Sequence, residues 1–278
     1  MKRIIRSFIR ILVQNKFTWF FIKPLIGIAN YIQCQRDRVA SNRLATEQRI
    51  MEALGEPVVK NGPFKGMIYP DFLYPNNFAK IIGSYEKEIS DIIESLCHRQ
   101  FTEILNIGCG EGYYAIGFAR RIENATIIAY DSREIARRHC GEMARLNQVD
   151  KKIRILGSFT KDSLSNMNLE GRVLILCDCE GGEKEIFTLE NASRLRSCEL
   201  LIEIHDFIDI CISGYIRDLF SETHDILAIQ STDDIYKARN YHFRETDHLD
   251  LHLKKLVFEE HRPAPMEWFY IIPKLLRR

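Results

Sequence analysis

The sequence is first informative through what it lacks. None of its eight cysteines form a C-x-x-C pair, which removes the usual thiolate spacing of structural zinc sites. No acid precedes Asp37, and before Pro24 the longest uncharged run is six residues, Phe17 to Ile22. A spanning helix needs roughly twenty apolar residues, so a transmembrane segment is not expected there. Net charge is also nearly absent, at +1 over 278 residues. It is unevenly divided: residues 1–43 hold nine Lys or Arg against one acid, a net of +8, and the remainder holds thirty against thirty-seven, a net of −7. A basic arm on an acidic body argues against general nucleic-acid binding, and no nucleic-acid partner is expected. The N-terminal stretch carries no small-residue cleavage pattern, and Cys109, Cys177 and Cys179 fall where free thiols are expected. Both point to a reducing, cytoplasmic location.

Glu103 to Arg120, EILNIGCGEGYYAIGFAR, organises the rest. A short apolar strand run reaches Ile107, apolar residues recur at helical spacing from Tyr113, and Gly108, Gly110 and Gly112 fall in the turn between. A sharp strand-to-helix turn requires backbone angles that favour glycine, and a missing Cβ lets a ligand approach the backbone. The helix start adds unpaired N–H groups. A dinucleotide fingerprint would place its third glycine at position 113, which is Tyr113, so a nicotinamide oxidoreductase is the weaker enzyme reading.

G-x-G-x-G after an apolar strand instead resembles motif I of class I S-adenosylmethionine-dependent methyltransferases. The resemblance implies a Rossmann-like fold and S-adenosylmethionine as cofactor, held around Asn106, Gly108, Cys109, Gly110 and Gly112. Where that family usually carries Asp or Glu two residues before the first glycine, this chain has Asn106.

Downstream residues extend the pattern. ATIIAY (125–130) reads as a second strand ending at Asp131, 19 residues after Gly112, where a carboxylate can accept both ribose hydroxyl protons. Ile153 to Leu156 reads as a third strand, and Ser158 in the following turn could border the adenine. VLILC (173–177) delivers Asp178 and Glu180 to the sheet edge, and LLIEI (200–204) ends at His205. WFYIIP (268–273) is the final strand. The alternation predicts an α/β protein with a mostly parallel sheet and helices on both faces, which the resemblance makes seven-stranded.

DCEGGE followed by LIEIHDF resembles the D-x-E-G-x-E and E-x-H segments of FkbM-type methyltransferases, which methylate hydroxyl oxygens of small molecules and glycans. Asp178 is then expected beside the cofactor, with His205 as base and Asp178 and Glu180 orienting it or the acceptor. Helix capping by the two acids and a backbone-satisfied histidine is the competing reading. No metal is expected; coordination by this Asp, Glu and His set is a minor alternative.

The expected domains are a basic, apolar-rich N-terminal helical region (1–56) and a methyltransferase domain (57–278) with its cofactor-binding core at about 80–210. Pro24 is expected to open a new helix running to about Leu54, VVKNGPFKGMIY (58–69) to form two strands, and 78–96 to be one helix. Two readings of the arm stand: an interfacial helix that puts residues 1–35 on an anionic membrane at its inner face, or a helical pair packed on the body. The acceptor is expected to be a small molecule, glycan or lipid-linked hydroxyl. A membrane-peripheral binding protein that keeps the fold without activity is the non-enzyme alternative.

Overall fold

Seven strands carry the architecture: β1 (Glu103–Ile107), β2 (Thr126–Tyr130), β3 (Ile153–Leu156), β4 (Val173–Cys177), β5 (Glu199–Ile204), β6 (His224–Gln230) and β7 (Glu267–Pro273). The computed structural model describes residues 16–165, 167 and 169–277. The sheet order is β3-β2-β1-β4-β5-β7-β6. β1 to β5 pair in parallel, whereas β7 lies antiparallel between β5 and β6. Every residue of β4 and β5 is buried, as expected of strands covered on both faces.

After β3 the chain crosses to the far side of β1 to form β4, so the strand order reverses between β1 and β4. In open parallel sheets that switch leaves a crevice beyond the carboxyl ends of the strands. The register aligns those ends closely, with Ile107 level with Tyr130 on one side and Cys177 on the other. The residues immediately following β1, β2 and β4 therefore share one edge.

The chain divides into two units, Met1–Glu52 and Ala53–Arg278. The described part of the first unit belongs to a single helix, Lys16–Leu54. Pro24 lies inside this 39-residue helix rather than opening a new one. Its missing N–H costs one backbone bond among many, so propagation continues past it. Among the described residues no helix is long and apolar enough to cross a membrane.

Two further expectations are corrected. The 78–96 stretch is broken into Phe78–Ile82, a 3-10 turn at Lys87–Ile89 and Ser90–Cys97. Gly83 takes φ +83, and a Cβ there would sit 2.2 Å from the carbonyl oxygen of Asn61, so helical spacing yields to a tight backbone contact. Residues 58–69 form one isolated bridge, Val58 to Ile68, instead of two strands. β6 was not anticipated: its apolar residues Ile226 to Ile229 are consecutive and half-buried or exposed, so neither alternation nor a buried run marks the strand.

A Cβ at Gly108 would lie 1.6 Å from the carbonyl oxygen of Asp178. Gly108→Ala is therefore expected to destabilise the protein by more than about 3 kcal/mol, combining a backbone clash with strain at positive φ. Urea unfolding followed by circular dichroism checks this; a midpoint within experimental error of wild type would refute the close approach.

Candidate active site

The glycine turn is fastened to the end of β2 before any ligand is considered. The N–H groups of Gly108 and Cys109 both donate to the carbonyl of Tyr130, at 2.9 and 2.8 Å. Gly110 N–H then donates to Asp131 Oδ2 at 2.9 Å. Arg133 N–H donates to Asp131 Oδ1 at 2.9 Å. The Arg133 guanidinium also donates to Oδ1 and Oδ2, at 3.3 and 3.4 Å, which fills the about four acceptor positions of the carboxylate. Because the Arg133 side chain is 69% exposed, these two longer bonds are the ones that hydroxyl donors can replace.

The three glycines do different work. Gly108 permits contact with the end of β4, and Gly112 makes room for Ile116 and Cys140, which a Cβ would approach to 2.8 and 2.9 Å. Only at Gly110 would a Cβ meet nothing within 4 Å, which marks the point where the turn faces open space. That space is a cleft of about 1010 Å³ bordered by Gly108, Gly110, Asp131, Ser158, Asp178 and Glu180. Asn106, Cys109 and Gly112 lie behind it, and both polar side-chain atoms of Asn106 are buried without a hydrogen-bond partner.

Glu111 also borders the cleft. It accepts from Lys80 Nζ at 2.5 Å and from Tyr69 OH at 3.2 Å. Burial alone would raise its pKa, but Lys80 and these bonds hold it below the usual carboxylate value. No motif marked Glu111; its charged partner lies 31 residues earlier in the chain.

Beyond Asp178 and Glu180 is a second, smaller cavity of about 120 Å³, which those two residues share with the cleft. His205 borders it and is only 1% exposed. Its Nδ1 lies 2.5 Å from Glu183 Oε1, while Nε2 faces Asp178 Oδ1 at 3.5 Å, Glu180 Oε2 at 3.7 Å and Glu203 Oε2 at 3.8 Å. Burial pulls the imidazole pKa down, yet the Glu183 bond and neighbouring carboxylates carry it above its ordinary value. The sequence pattern thus brings Asp178, Glu180 and His205 together, and the structure adds Glu183 and Glu203.

The opposite wall is built around Arg262, which reaches Glu86 at 3.0 Å, Glu260 at 2.9 Å and Glu203 more closely still. Tyr114 OH donates to Glu86. Burial, with repulsion from Glu203 outweighing Arg262, pushes Glu86 up to about 8. Burial and Glu86 push Asp178 up to about 7, and burial and Asp178 push Glu203 up to about 8. The group is short of positive charge.

No protein-family model matches the sequence, and no curated protein does. Among solved structures, the C-terminal domain of precorrin-6Y C5,15-methyltransferase from Rhodobacter capsulatus is 10% identical with a TM-score of 0.44, covering 70% of this chain and 91% of that one. A SAM-dependent methyltransferase from Geobacter sulfurreducens in complex with S-adenosyl-L-homocysteine is 14% identical with a TM-score of 0.41, covering 68% and 91%. Precorrin-6y C5,15-methyltransferase from Geobacter metallireducens GS-15 is 12% identical with a TM-score of 0.40, covering 64% and 83%. At such values the chemistry rests on this chain's own residues.

The Glu86 pKa gives a stability signature. A carboxyl raised to about 8 in the fold from 4.5 contributes stability that is complete below 4.5 and lost as pH rises through about 8. Denaturant unfolding is expected to show lower stability at pH 9 than at pH 6, by on the order of 1 kcal/mol or more. Glu86→Gln should flatten this dependence, and an unchanged slope in a folded variant would exclude Glu86 as its source.

Proposed function

We propose that the protein is an S-adenosylmethionine-dependent methyltransferase that methylates a hydroxyl oxygen of a small molecule, glycan or lipid-linked acceptor. The observation that carries this reading is the cleft at the switch point, where the open backbone of Gly110, the Asp131 carboxylate and Asp178 meet. The donor set fits the cofactor. Asp131 can accept from ribose hydroxyls in place of the exposed Arg133 guanidinium, Gly110 admits close approach, and Phe159, edge-on to Tyr130 at 4.8 Å, offers an apolar wall for a base. When bound, S-adenosylmethionine supplies a methyl group activated by its sulfonium centre.

The chain's contribution is alignment and proton handling. Holding donor and acceptor in line is worth up to roughly 7–11 kcal/mol of barrier. Asp178 and Glu180 border both spaces, so they would lie between a cofactor held in the cleft and an acceptor group reaching the smaller cavity. The hydroxyl proton passes to the Asp178, Glu180 and His205 cluster acting as a unit. FkbM-like chemistry is favoured by the same three residues in their D-x-E and E-x-H setting.

Titration calorimetry is expected to show binding of S-adenosylmethionine and S-adenosylhomocysteine but not NAD. Asp131→Ala should weaken binding by roughly ten- to several-hundred-fold, as expected from losing charge-assisted hydrogen bonds of about 1.5–3 kcal/mol each. Binding of NAD alone, or unchanged affinity in a folded Asp131→Ala variant, would overturn the assignment.

The reading includes a place of action at an anionic membrane surface, reached through residues 1–35. Its support is the helix segment bearing exposed Phe21, Leu25, Ile28, Tyr31 and Ile32, preceded by basic residues and free of acid until Asp37. Each cation near such a surface contributes about 1 kcal/mol before screening. Vesicles containing phosphatidylserine should float with the full chain at low salt, less at high salt, and not with a chain lacking residues 1–35. Equal recovery of both chains in the soluble fraction would count against it.

A further inference from the structure

We propose that Asp178, Glu203 and His205 form a binding site for one divalent transition-metal cation of the Mn²⁺ type. The inference goes beyond methyl transfer and does not depend on it; with an ion on Nε2 and Nδ1 held by Glu183, His205 would orient the site rather than accept the hydroxyl proton, which would fall to Glu180. One donor atom from each residue lies within 4.8 Å of the other two, at the carboxyl ends of β4 and β5. His205 Nε2 stands 3.5 Å from Asp178 Oδ1 and 3.8 Å from Glu203 Oε2. These separations are long for hydrogen bonds but close to the roughly 3.4 Å between two ligands held ~2.1 Å from one tetrahedral ion.

The imidazole supplies independent support. It is 1% exposed, and among the described residues its Nε2 makes no hydrogen bond, although it is aimed into three carboxylates. Its Nδ1 is fixed by Glu183 at 2.5 Å. A histidine that gives one nitrogen to a carboxylate and turns the other nitrogen toward acidic oxygens has the arrangement by which metal-ligating histidines are oriented. Glu203 is oriented likewise, since Arg262 binds its other oxygen. Asp178 Oδ1 is buried without a hydrogen-bond partner.

The charge around the site points the same way. Glu86, Asp178, Glu180, Glu183, Glu203 and Glu260 are joined through contacts in which, among the described residues, Arg262 and Lys237 are the permanent cations paired directly, with Arg133 acting on Asp178 and Glu180 from the cleft side. A doubly charged ion would relieve much of this excess. Two carboxylates and one imidazole suit Mn²⁺, Fe²⁺ or Zn²⁺ better than a soft, thiolate-seeking ion. The adjoining cavity of about 120 Å³ leaves room for an oxygen ligand in an open coordination position, where the ion would polarise it. Sequence reading grouped Asp178, Glu180 and His205; the structure substitutes Glu203, because the Glu180 side chain is 78% exposed.

The full chain, stripped with chelator and dialysed, is titrated with Mn²⁺ alone, with free Mn²⁺ read by electron paramagnetic resonance. Mn²⁺ is the probe because eight free thiols would draw Zn²⁺ elsewhere. One saturable ion per chain is expected, with thermal stabilisation on binding. The near-isosteric Asp178→Asn and Glu203→Gln variants should each lose at least tenfold in affinity, and Glu183→Gln, which removes only the orienting partner, roughly 10–100-fold. Circular dichroism establishes that each variant is folded; if one is not, the folded ligand variant decides. Absence of saturable binding, or affinity unchanged in the folded ligand variants, overturns the proposal. No cofactor is present in the experiment, so its outcome is separate from that of the calorimetry with S-adenosylmethionine.

Discussion

The contact on which the site depends is between two backbones. Asp178 N–H donates to the Ile107 carbonyl at 2.9 Å, and its own carbonyl occupies the volume that a side chain at position 108 would need. Hydrogen bonding between β1 and β4 therefore continues one residue beyond the sheet. The glycine turn and the acidic turn become one piece of structure, and the parallel register delivers both to the crevice where strand order reverses. No long side chain has to bridge them, so little rotamer entropy is spent in bringing them together.

Opposed to this economy is an expensive accumulation of buried charge. Arg262 links Glu86, which precedes β1, to Glu203 at the end of β5 and to Glu260 after the last long helix. Lys237 meets Glu260 at 2.5 Å with both side chains fully buried. Such pairs seldom add net stability relative to apolar residues, but leaving one member alone is costly. Their effect is to fix the wall of the smaller cavity through segments distant in sequence. The raised carboxyl pKa values around Asp178 and Glu203 are the electrostatic trace of that arrangement.

Much of the glycine-turn side of the cleft could be read in the sequence because its signals are local. The apolar run to Ile107, the glycines and the strand end at Asp131 lie within 29 residues, and each reflects backbone geometry. The surroundings of the smaller cavity were legible only in part. Asp178, Glu180 and His205 stand at strand ends, where apolar runs stop. Glu203 sits inside such a run, standing as the first residue of E-x-H but given no role there, and Arg262 lies in an irregular segment that follows no period. At Glu86 the error was one of local structure: helical spacing suggested a continuous helix, while Gly83 and Glu86 itself adopt positive φ. Pro24 misled in the opposite direction, since a proline expected at a helix start is accommodated within a long one.

The placing of β7 sets an order on folding. It lies between β5 and β6 and pairs with both along most of its length. β6, completed at Gln230, therefore has no strand partner until residues 267–273 have been synthesised. During that interval β5 presents an open edge, apolar at Leu200, Leu201, Ile202 and Ile204 and charged at Glu199 and Glu203. A nascent chain stalled between these strands would expose a template for pairing with its neighbours, which makes this the interval of synthesis in which chaperone protection matters most.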